Sequence, residues 1–243
     1  MSAAFPMTKQ VPERSIKQAL WDDFCAAHDI ATTGVPLLAA DVDGMVEVFG
    51  HGQDGRPMLR RSAAMEALLA STVERVLATP QGDAEGLLYL MHRLDAAGHV
   101  VPLYAGKAGR YGRGGGVSVN LSSIRTNAGK FSRWGYGYAY HMGDLSAATL
   151  PGHLPGKATP KYRRWARSLF VEVPAASPRL RAPIRFWCTA WGPSSHNIWP
   201  EFGACSLSFA EYLLIGVASL LFPNDLLNDE GVNRATVVTE AAG

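Results

Sequence analysis

The stretch GLLYLMHRLDAAGHVVPLYAGKAGRYGR, residues 86–113, contains two apolar runs, a short polar turn and a basic, glycine-rich end. Each run carries one tyrosine, Tyr89 or Tyr104. Short apolar runs bounded by turn residues are typical of β-strands, so residues 87–94 and 100–105 are predicted to be strands joined by the DAAGH turn. The stretch therefore predicts a β-hairpin with one tyrosine on each strand.

The turn leaves the register of this hairpin open. A two-residue loop of Ala96 and Ala97 would set Tyr89 opposite Tyr104, with both rings on one face of the sheet. Gly98 also suits the left-handed position of a three-residue turn with a bulge, and that shift of one residue would place the tyrosines on opposite faces. The sequence allows both arrangements.

Composition and charge narrow the class of protein. The chain has 243 residues, 47% hydrophobic and 18% charged, which suits one sizeable core with or without a smaller appendage. Its start lacks the pattern of a signal peptide, and its longest apolar run, YLLIGVASLLF, is too short to span a bilayer. We therefore expect a cytoplasmic protein with no membrane partner. The three cysteines show no CxxC spacing and predict neither a disulfide framework nor a zinc site.

Basic residues are concentrated in the middle of the chain. Residues 85–168 hold twelve Lys or Arg but only three acids, Glu85, Asp95 and Asp144. A solvated basic face without a ligand would explain this asymmetry. Nucleic acid explains it better, because a polyphosphate that binds clustered Lys and Arg releases its counterions.

The rest of the chain predicts an α/β fold. Apolar periodicity indicates helices over residues 15–29 and 62–78, with two short strands between them, and hence a mostly helical N-terminal region, residues 1–84. A further strand is expected within residues 171–191. The run SLSFAEYLLIGVASLLF predicts a mostly buried helix that ends before Pro223.

The stretch RWGYGYAYH, residues 133–141, alternates aromatic and small residues. A buried aromatic sheet face would give this pattern. A platform for bases or sugars would give it too, with Lys130 and Arg133 as phosphate contacts. His141 ends the run, either as a phosphate ligand or helper of a base, or as an ordinary surface or core histidine.

The chain contains the residue types that phosphodiester hydrolysis needs, which are a base, a cation for the phosphoryl charge and often a metal. Tyr89 and Tyr104 would supply a phenolate or orient water, and Lys107 would lower the pKa of a tyrosine beside it. Two arginines would clamp the phosphate, and a glutamate would bind a hard divalent cation. These residues are Arg110, Arg113 and Glu211.

The hairpin resembles the paired-tyrosine signature of the GIY-YIG nucleases. Residues 87–89, Leu-Leu-Tyr, stand where the family has Gly-Ile-Tyr, and residues 104–106, Tyr-Ala-Gly, where it has Tyr-Ile-Gly. The stretch AEYLLIGVASLLFPNDLLN resembles the family's later helix, which brings a metal-binding glutamate, here Glu211, and then an asparagine, here Asn228. The first signature glycine is replaced by Leu87.

The resemblance implies a metal-dependent DNA endonuclease that uses Mg²⁺ or Mn²⁺, with Glu211 as the metal ligand. It implies a nuclease domain over residues 85–235, with a small mixed sheet built on the hairpin, flanking helices and a long basic and aromatic insertion, followed by a tail over residues 236–243. Tyr89 is favoured as the base, because Lys107 would approach it across the hairpin. The implied catalytic residues are Tyr89, Tyr104, Lys107, Arg110, Arg113, Glu211 and Asn228.

The hairpin arginines depart from the spacing that the family has for its phosphate arginine. Arg113 lies nearer to Gly106 than the family's arginine lies to its signature glycine, and Arg110 lies nearer still. Arg125 or Arg133, in the basic segment that follows, would serve instead and contact nucleic acid.

The long interval between the hairpin and Glu211 resembles the restriction endonucleases of the superfamily, in which added segments wrap duplex DNA. Double-stranded DNA is then the expected partner, a restriction or phage-defence role is expected, and a homodimer would cut both strands. The alternatives are a catalytically inactive nucleic-acid-binding module, a structure-specific repair nuclease and a catalyst acting on a small phosphorylated or nucleotide substrate. Ser208 and Glu211 also form an S-x-x-E pattern, which a helix capping box alone would explain.

Overall fold

A computed structural model describes residues 13–80, 82–122, 141–154 and 156–232. The first part of the chain forms three helices and three short strands, which include the two predicted helices and add a short helix and a third strand. In chain order these are α1 (Glu13–Ala27), α2 (Ile30–Thr33), β1 (Val35–Pro36), β2 (Val48–His51), β3 (Arg56–Leu59) and α3 (Ala63–Ala78). The Ser62 hydroxyl caps α3 by accepting a hydrogen bond from the Met65 amide.

The rest of the chain adds the tyrosine hairpin, one further strand and four helices within the described residues. They are β4 (Gly86–Leu94), β5 (Val100–Gly109), α4 (Val119–Ser122), α5 (Met142–Thr149), α6 (Pro160–Leu169), β6 (Arg185–Trp191) and α7 (Leu207–Leu221). The helix α7 ends before Pro223, as predicted, because proline cannot continue it. None of the described helices is long and apolar enough to cross a membrane.

The main sheet has the strand order β1-β6-β4-β5, and β2 pairs with β3 in a separate two-stranded sheet. The α/β composition is confirmed, but the prediction of a mixed sheet is wrong for the described strands. The three pairings of the main sheet are all antiparallel, because β6 returns along the far side of β4 and runs opposite to it. Within the described residues, β5 forms one edge of this sheet.

The hairpin closes with a three-residue turn. The Asp95 amide donates to the His99 carbonyl at 3.0 Å, and Gly98 takes the left-handed position at φ +85°. The sequence allowed two turns, and this three-residue turn is the one that by itself would place the two tyrosines on opposite faces of the sheet.

A second irregularity brings the tyrosines back to one face. The register shifts between Met91 and His92, so that Tyr89 lies opposite Gly106 and Met91 lies opposite Tyr104. The extra residue restores the alternation on β5. Tyr89 and Tyr104 are therefore diagonal neighbours on the same face of the sheet.

Both faces of the sheet are covered by helices. Tyr89 faces a core that includes Val73 of α3 and Trp165 of α6. Leu88, the next residue along β4, belongs to a second core with Trp21 of α1 and the apolar face of α7. This alternation means that side chains at successive positions of β5 approach different helices.

Candidate active site

A cavity of about 640 Å³ lies along the β5 edge of the sheet, between α6 and α7. It receives side chains from the second tyrosine strand, from the first turn of α6, from α7 and from the segment after α7. The residues lining it include Tyr104, Lys107, His141, Lys161, Tyr162, Ser208, Glu211, Tyr212, Asn228, Asp229 and Glu230. Four of the predicted catalytic residues, Tyr104, Lys107, Glu211 and Asn228, thus meet in one place.

The two tyrosines stack, but they differ in access. Their ring centroids are 6.4 Å apart with an angle of 28° between the planes. A Cβ atom added to Gly106 would lie 2.6 Å from the Cε2, Cζ and Oη atoms of Tyr89, so the Tyr89 ring crosses β5 directly over this glycine. Tyr89 is 1% exposed and does not line the cavity, whereas Tyr104 does.

The surroundings of Tyr104 favour its neutral form. Burial raises the pKa of Tyr104 to about 12, and the negative charges of Glu211, Glu230 and Asp229 add to the effect. The hydroxyl of Tyr104 is therefore a hydrogen-bond donor and acceptor near neutral pH.

Lys107 does not approach Tyr89, and the expectation that it would is wrong. Lys107 pairs in register with Leu88, one position away from Tyr89, and so lies on the other face of the sheet. Its ammonium instead forms an ion pair with the carboxylate of Glu211, although 104 residues separate the two along the chain.

Glu211 is not a capping residue. The N-cap of α7 is Ser206, whose hydroxyl accepts from the Phe209 amide at 3.3 Å, and Ser208 lies inside the helix. The S-x-x-E pattern therefore does not form a capping box, in which the N-cap serine would be Ser208. Glu211 lies in the second turn of α7 and faces the cavity.

Asn228 joins the segment after α7 to the edge strand. Its Oδ1 accepts from the Ala105 amide at 3.0 Å and its Nδ2 donates to the Ala105 carbonyl at 2.9 Å. The Asn228 side chain thus makes the two hydrogen bonds with Ala105 that a neighbouring strand would make at this edge of the sheet. The position of Asn228 thus has a structural explanation in addition to the catalytic role that the resemblance implies.

The two hairpin arginines lie outside the cavity. Arg110 is buried and donates to the carbonyls of Leu77 and Pro80, which ties it to the C-terminal end of α3. Arg113 is exposed and is not among the lining residues. Arg125, Lys130 and Arg133, like the aromatic residues at positions 134–140, lie outside the described residues.

His141 is a core histidine that borders the cavity. Its Nδ1 lies 2.5 Å from the Tyr162 hydroxyl, and its ring packs edge-on against Tyr104. Burial, with a smaller contribution from the positive charge of Lys161, lowers the pKa of His141 to about 3. The ring is therefore neutral near pH 7 and brings no positive charge to a phosphate.

Several lining residues were not singled out from the sequence, among them Lys161 and Tyr162 of α6, and Asp229 and Glu230 after α7. The sequence of α6, PKYRRWARSL, is basic and compatible with a helix, and its apolar residues Tyr162, Trp165 and Leu169 are buried. Lys161 and Trp165 are one helical turn apart, which places Lys161 at the border of that buried face. This border position is the sequence feature that could have pointed to Lys161. The cavity beside it is formed by packing between distant parts of the chain, which the sequence does not show.

The cavity offers the carboxylate of Glu211, one of the two partners in the ion pair, as a ligand for a hard divalent cation. Glu211 offers a carboxylate to the cavity, and Mg²⁺ is typically held by one or two carboxylates together with waters and substrate phosphates. Within the described ranges, no three His, Cys, Asp or Glu side chains cluster closely enough to enclose an ion. Glu211 is therefore the candidate ligand of an open site, and cation binding there would compete with its ion pair to Lys107.

Comparisons of the chain with models of known protein families, with curated protein sequences and with solved structures found no significant match.

Proposed function

We propose that this protein is a metal-dependent DNA endonuclease of the GIY-YIG type. The observation that carries the proposal is the convergence of Tyr104, Lys107 and Glu211 on one cavity at the edge of the hairpin. The ion pair explains why Lys107 and Glu211 lie together, and Tyr104 reaches the same cavity from the other face of the strand. They are the residue types that hydrolysis of a phosphodiester requires.

The proposed roles follow from access and charge. Tyr104 orients the attacking water through its neutral hydroxyl. Tyr89, which is buried, positions Tyr104 by stacking on it. Glu211 holds the divalent cation, Mg²⁺ or Mn²⁺, which when bound supplies positive charge to the phosphoryl oxygens. Lys107, which pairs with Glu211 in the structure, would be available to the phosphate when Glu211 holds the cation.

The basic composition of residues 85–168 supports nucleic acid as the substrate. We propose double-stranded DNA, with a homodimer cutting both strands, and a restriction or phage-defence role in the cytoplasm. In this proposal residues 85–235 carry the nuclease.

A second candidate is a nucleic-acid-binding module that does not cleave. The ion pair between Lys107 and Glu211 favours it, because the lysine offsets the charge that would repel a phosphate. In such a module Glu211 would fix Lys107 in place, and no cation would bind.

Incubation of supercoiled plasmid with Mg²⁺, with Mn²⁺ or with EDTA tests the proposal. A nuclease converts the plasmid to nicked or linear forms with either ion and leaves it intact in EDTA. DNA retention in a mobility shift without cleavage under any of these conditions would establish the binding module. Sequencing the ends would then separate a restriction enzyme, which gives one sequence at every cut, from a repair nuclease, which cuts at DNA structures.

A further inference from the structure

The proposed reaction needs a positive charge on the phosphate, and neither hairpin arginine provides it. Arg110 is engaged with the end of α3, and Arg113 lies outside the cavity. Among the described residues, the cations that line the cavity are Lys107 and Lys161.

We propose that Lys161 is a catalytic residue that contacts the scissile phosphate, an inference that rests on the proposed nuclease function. Lys161 lies in the first turn of α6, which begins at Pro160. Its ammonium lies 5.5 Å from the ring centroids of Tyr104 and Trp165 and 5.8 Å from that of Tyr162. It is thus placed directly beside the tyrosine that is proposed to orient water.

The aromatic rings hold the ammonium without saturating it. A cation over an aromatic face is attracted by the ring quadrupole, and the attraction grows where water is partly excluded. The Lys161 side chain is 33% exposed, so one side of the ammonium stays open to the cavity. Unlike a carboxylate, the rings carry no negative charge that would compete with a phosphate. A phosphate oxygen can therefore contact the open side of the ammonium.

The acidic neighbour of Lys161 is already satisfied by another residue. Asp229 approaches the Lys161 ammonium at 4.0 Å, the outer limit of an ion pair, whereas Arg164 reaches the same carboxylate at 2.7 Å. Arg164 therefore offsets the charge of Asp229. Lys107, by contrast, is in direct contact with Glu211, so Lys161 is the more available of the two lysines before a cation binds.

Substitution of Lys161 with a matched control on the same helix tests this assignment. Lys161→Met removes the charge and keeps an unbranched side chain one atom shorter, and Lys161→Arg keeps the charge. Arg163→Met is the control, because Arg163 is an exposed residue of α6 that lines a different surface depression. It removes one positive charge from the helix without changing the cavity.

We expect Lys161→Met to slow single-turnover cleavage of plasmid by about a hundred- to a thousand-fold, the typical effect of removing one group that stabilises transition-state charge. Binding of a short duplex in EDTA should weaken less, with the slope of log affinity against log salt reduced by about one. Lys161→Arg should restore part of the rate, and Arg163→Met should cut near the parental rate. Lys161→Gln replaces the methionine variant if that variant does not fold.

The outcomes separate this inference from the nuclease proposal. If the parent cuts and folded Lys161→Met cuts equally fast, Lys161 is not catalytic and the nuclease proposal stands. If the parent binds DNA but never cuts it, the nuclease proposal fails, and an unchanged salt slope for Lys161→Met would then overturn the phosphate contact as well. A parent that neither binds nor cuts DNA overturns both.

Discussion

The rings of Tyr89 and Tyr104 stack with centroids 6.4 Å apart, although the turn that joins their strands is the type that would separate them. The stack exists because β5 carries an extra residue between Pro102 and Tyr104. Tyr104 then faces the cavity and Tyr89 supports it from within the core. The two tyrosines thus differ in whether a molecule in the cavity can reach them: Tyr104 is accessible and Tyr89 is buried.

Removal of the two hydroxyls should therefore have unequal effects. Tyr104→Phe should lower the single-turnover cleavage rate by about a hundred- to ten-thousand-fold, the range for a group that acts on the transferred proton or the water. Tyr89→Phe keeps the stacked ring and should lose less. The comparison is made at saturating protein with equal folding of both variants. A larger loss in Tyr89→Phe would return the role of base to Tyr89.

Gly106 should tolerate no side chain, because the Tyr89 ring lies across it. Gly106→Ala places a Cβ 2.6 Å from that ring and should destabilise the protein by about 1–3 kcal/mol through overpacking. Gly109→Ala, on the same strand, is the control, since the nearest atom to its Cβ would be the Tyr111 carbonyl oxygen at 3.7 Å. Urea unfolding measures both, and equal stabilities would show that the ring is not held against Gly106.

Asn228 should contribute to stability as well as to any activity. Asn228→Ala leaves the amide and carbonyl of Ala105 without this partner and should cost about 2–4 kcal/mol of unfolding free energy. Asn224→Ala, at an exposed position of the same segment, should change stability little. A fully stable Asn228→Ala protein with impaired cleavage would instead assign the asparagine to the reaction.

The pKa of His141 predicts a specific loss of stability in acid. Its folded pKa of about 3 lies below the ordinary value near 6.5, so between these values the unfolded chain binds more protons at this residue. The contribution is present above pH 6.5 and is lost as pH falls. Between pH 7 and pH 5 the parent should lose about 1–2 kcal/mol more than His141→Gln, measured by urea unfolding. Parallel stability curves would contradict the burial of a neutral ring.

The helices α1, α3 and α7 and the strands of the hairpin were predictable from local signals, whereas α2, α4 and α5 were not predicted. Ser62 and the apolar periodicity after it marked α3, and Pro223 marked the end of α7. The hairpin register was not predicted, since it depends on a turn and a bulge together. Pro102 is a local indication of the bulge, because proline has no amide to donate and within a strand is typical of edges and bulges.

The candidate site was predictable in part. The resemblance of the motifs and their order identified Tyr104, Lys107, Glu211 and Asn228 as site residues. All four line the cavity. Which residue contacts which was not predictable, because strand alternation turns Lys107 away from Tyr89 and toward α7. Lys161 was missed because its position beside Tyr104 depends on how α6 packs against the sheet, and no local pattern encodes that contact.

The most direct measurement is the cleavage of supercoiled plasmid by Glu211→Gln in Mg²⁺, together with its affinity for the same DNA in EDTA. Glu230→Gln is the matched control, because it removes one negative charge from the same cavity. The account predicts that Glu211→Gln loses cleavage while it binds DNA equally or more tightly, since a negative charge near the phosphates is gone, and that Glu230→Gln keeps cutting. Near-parental cleavage by a folded Glu211→Gln protein would contradict the proposed metal-dependent nuclease site.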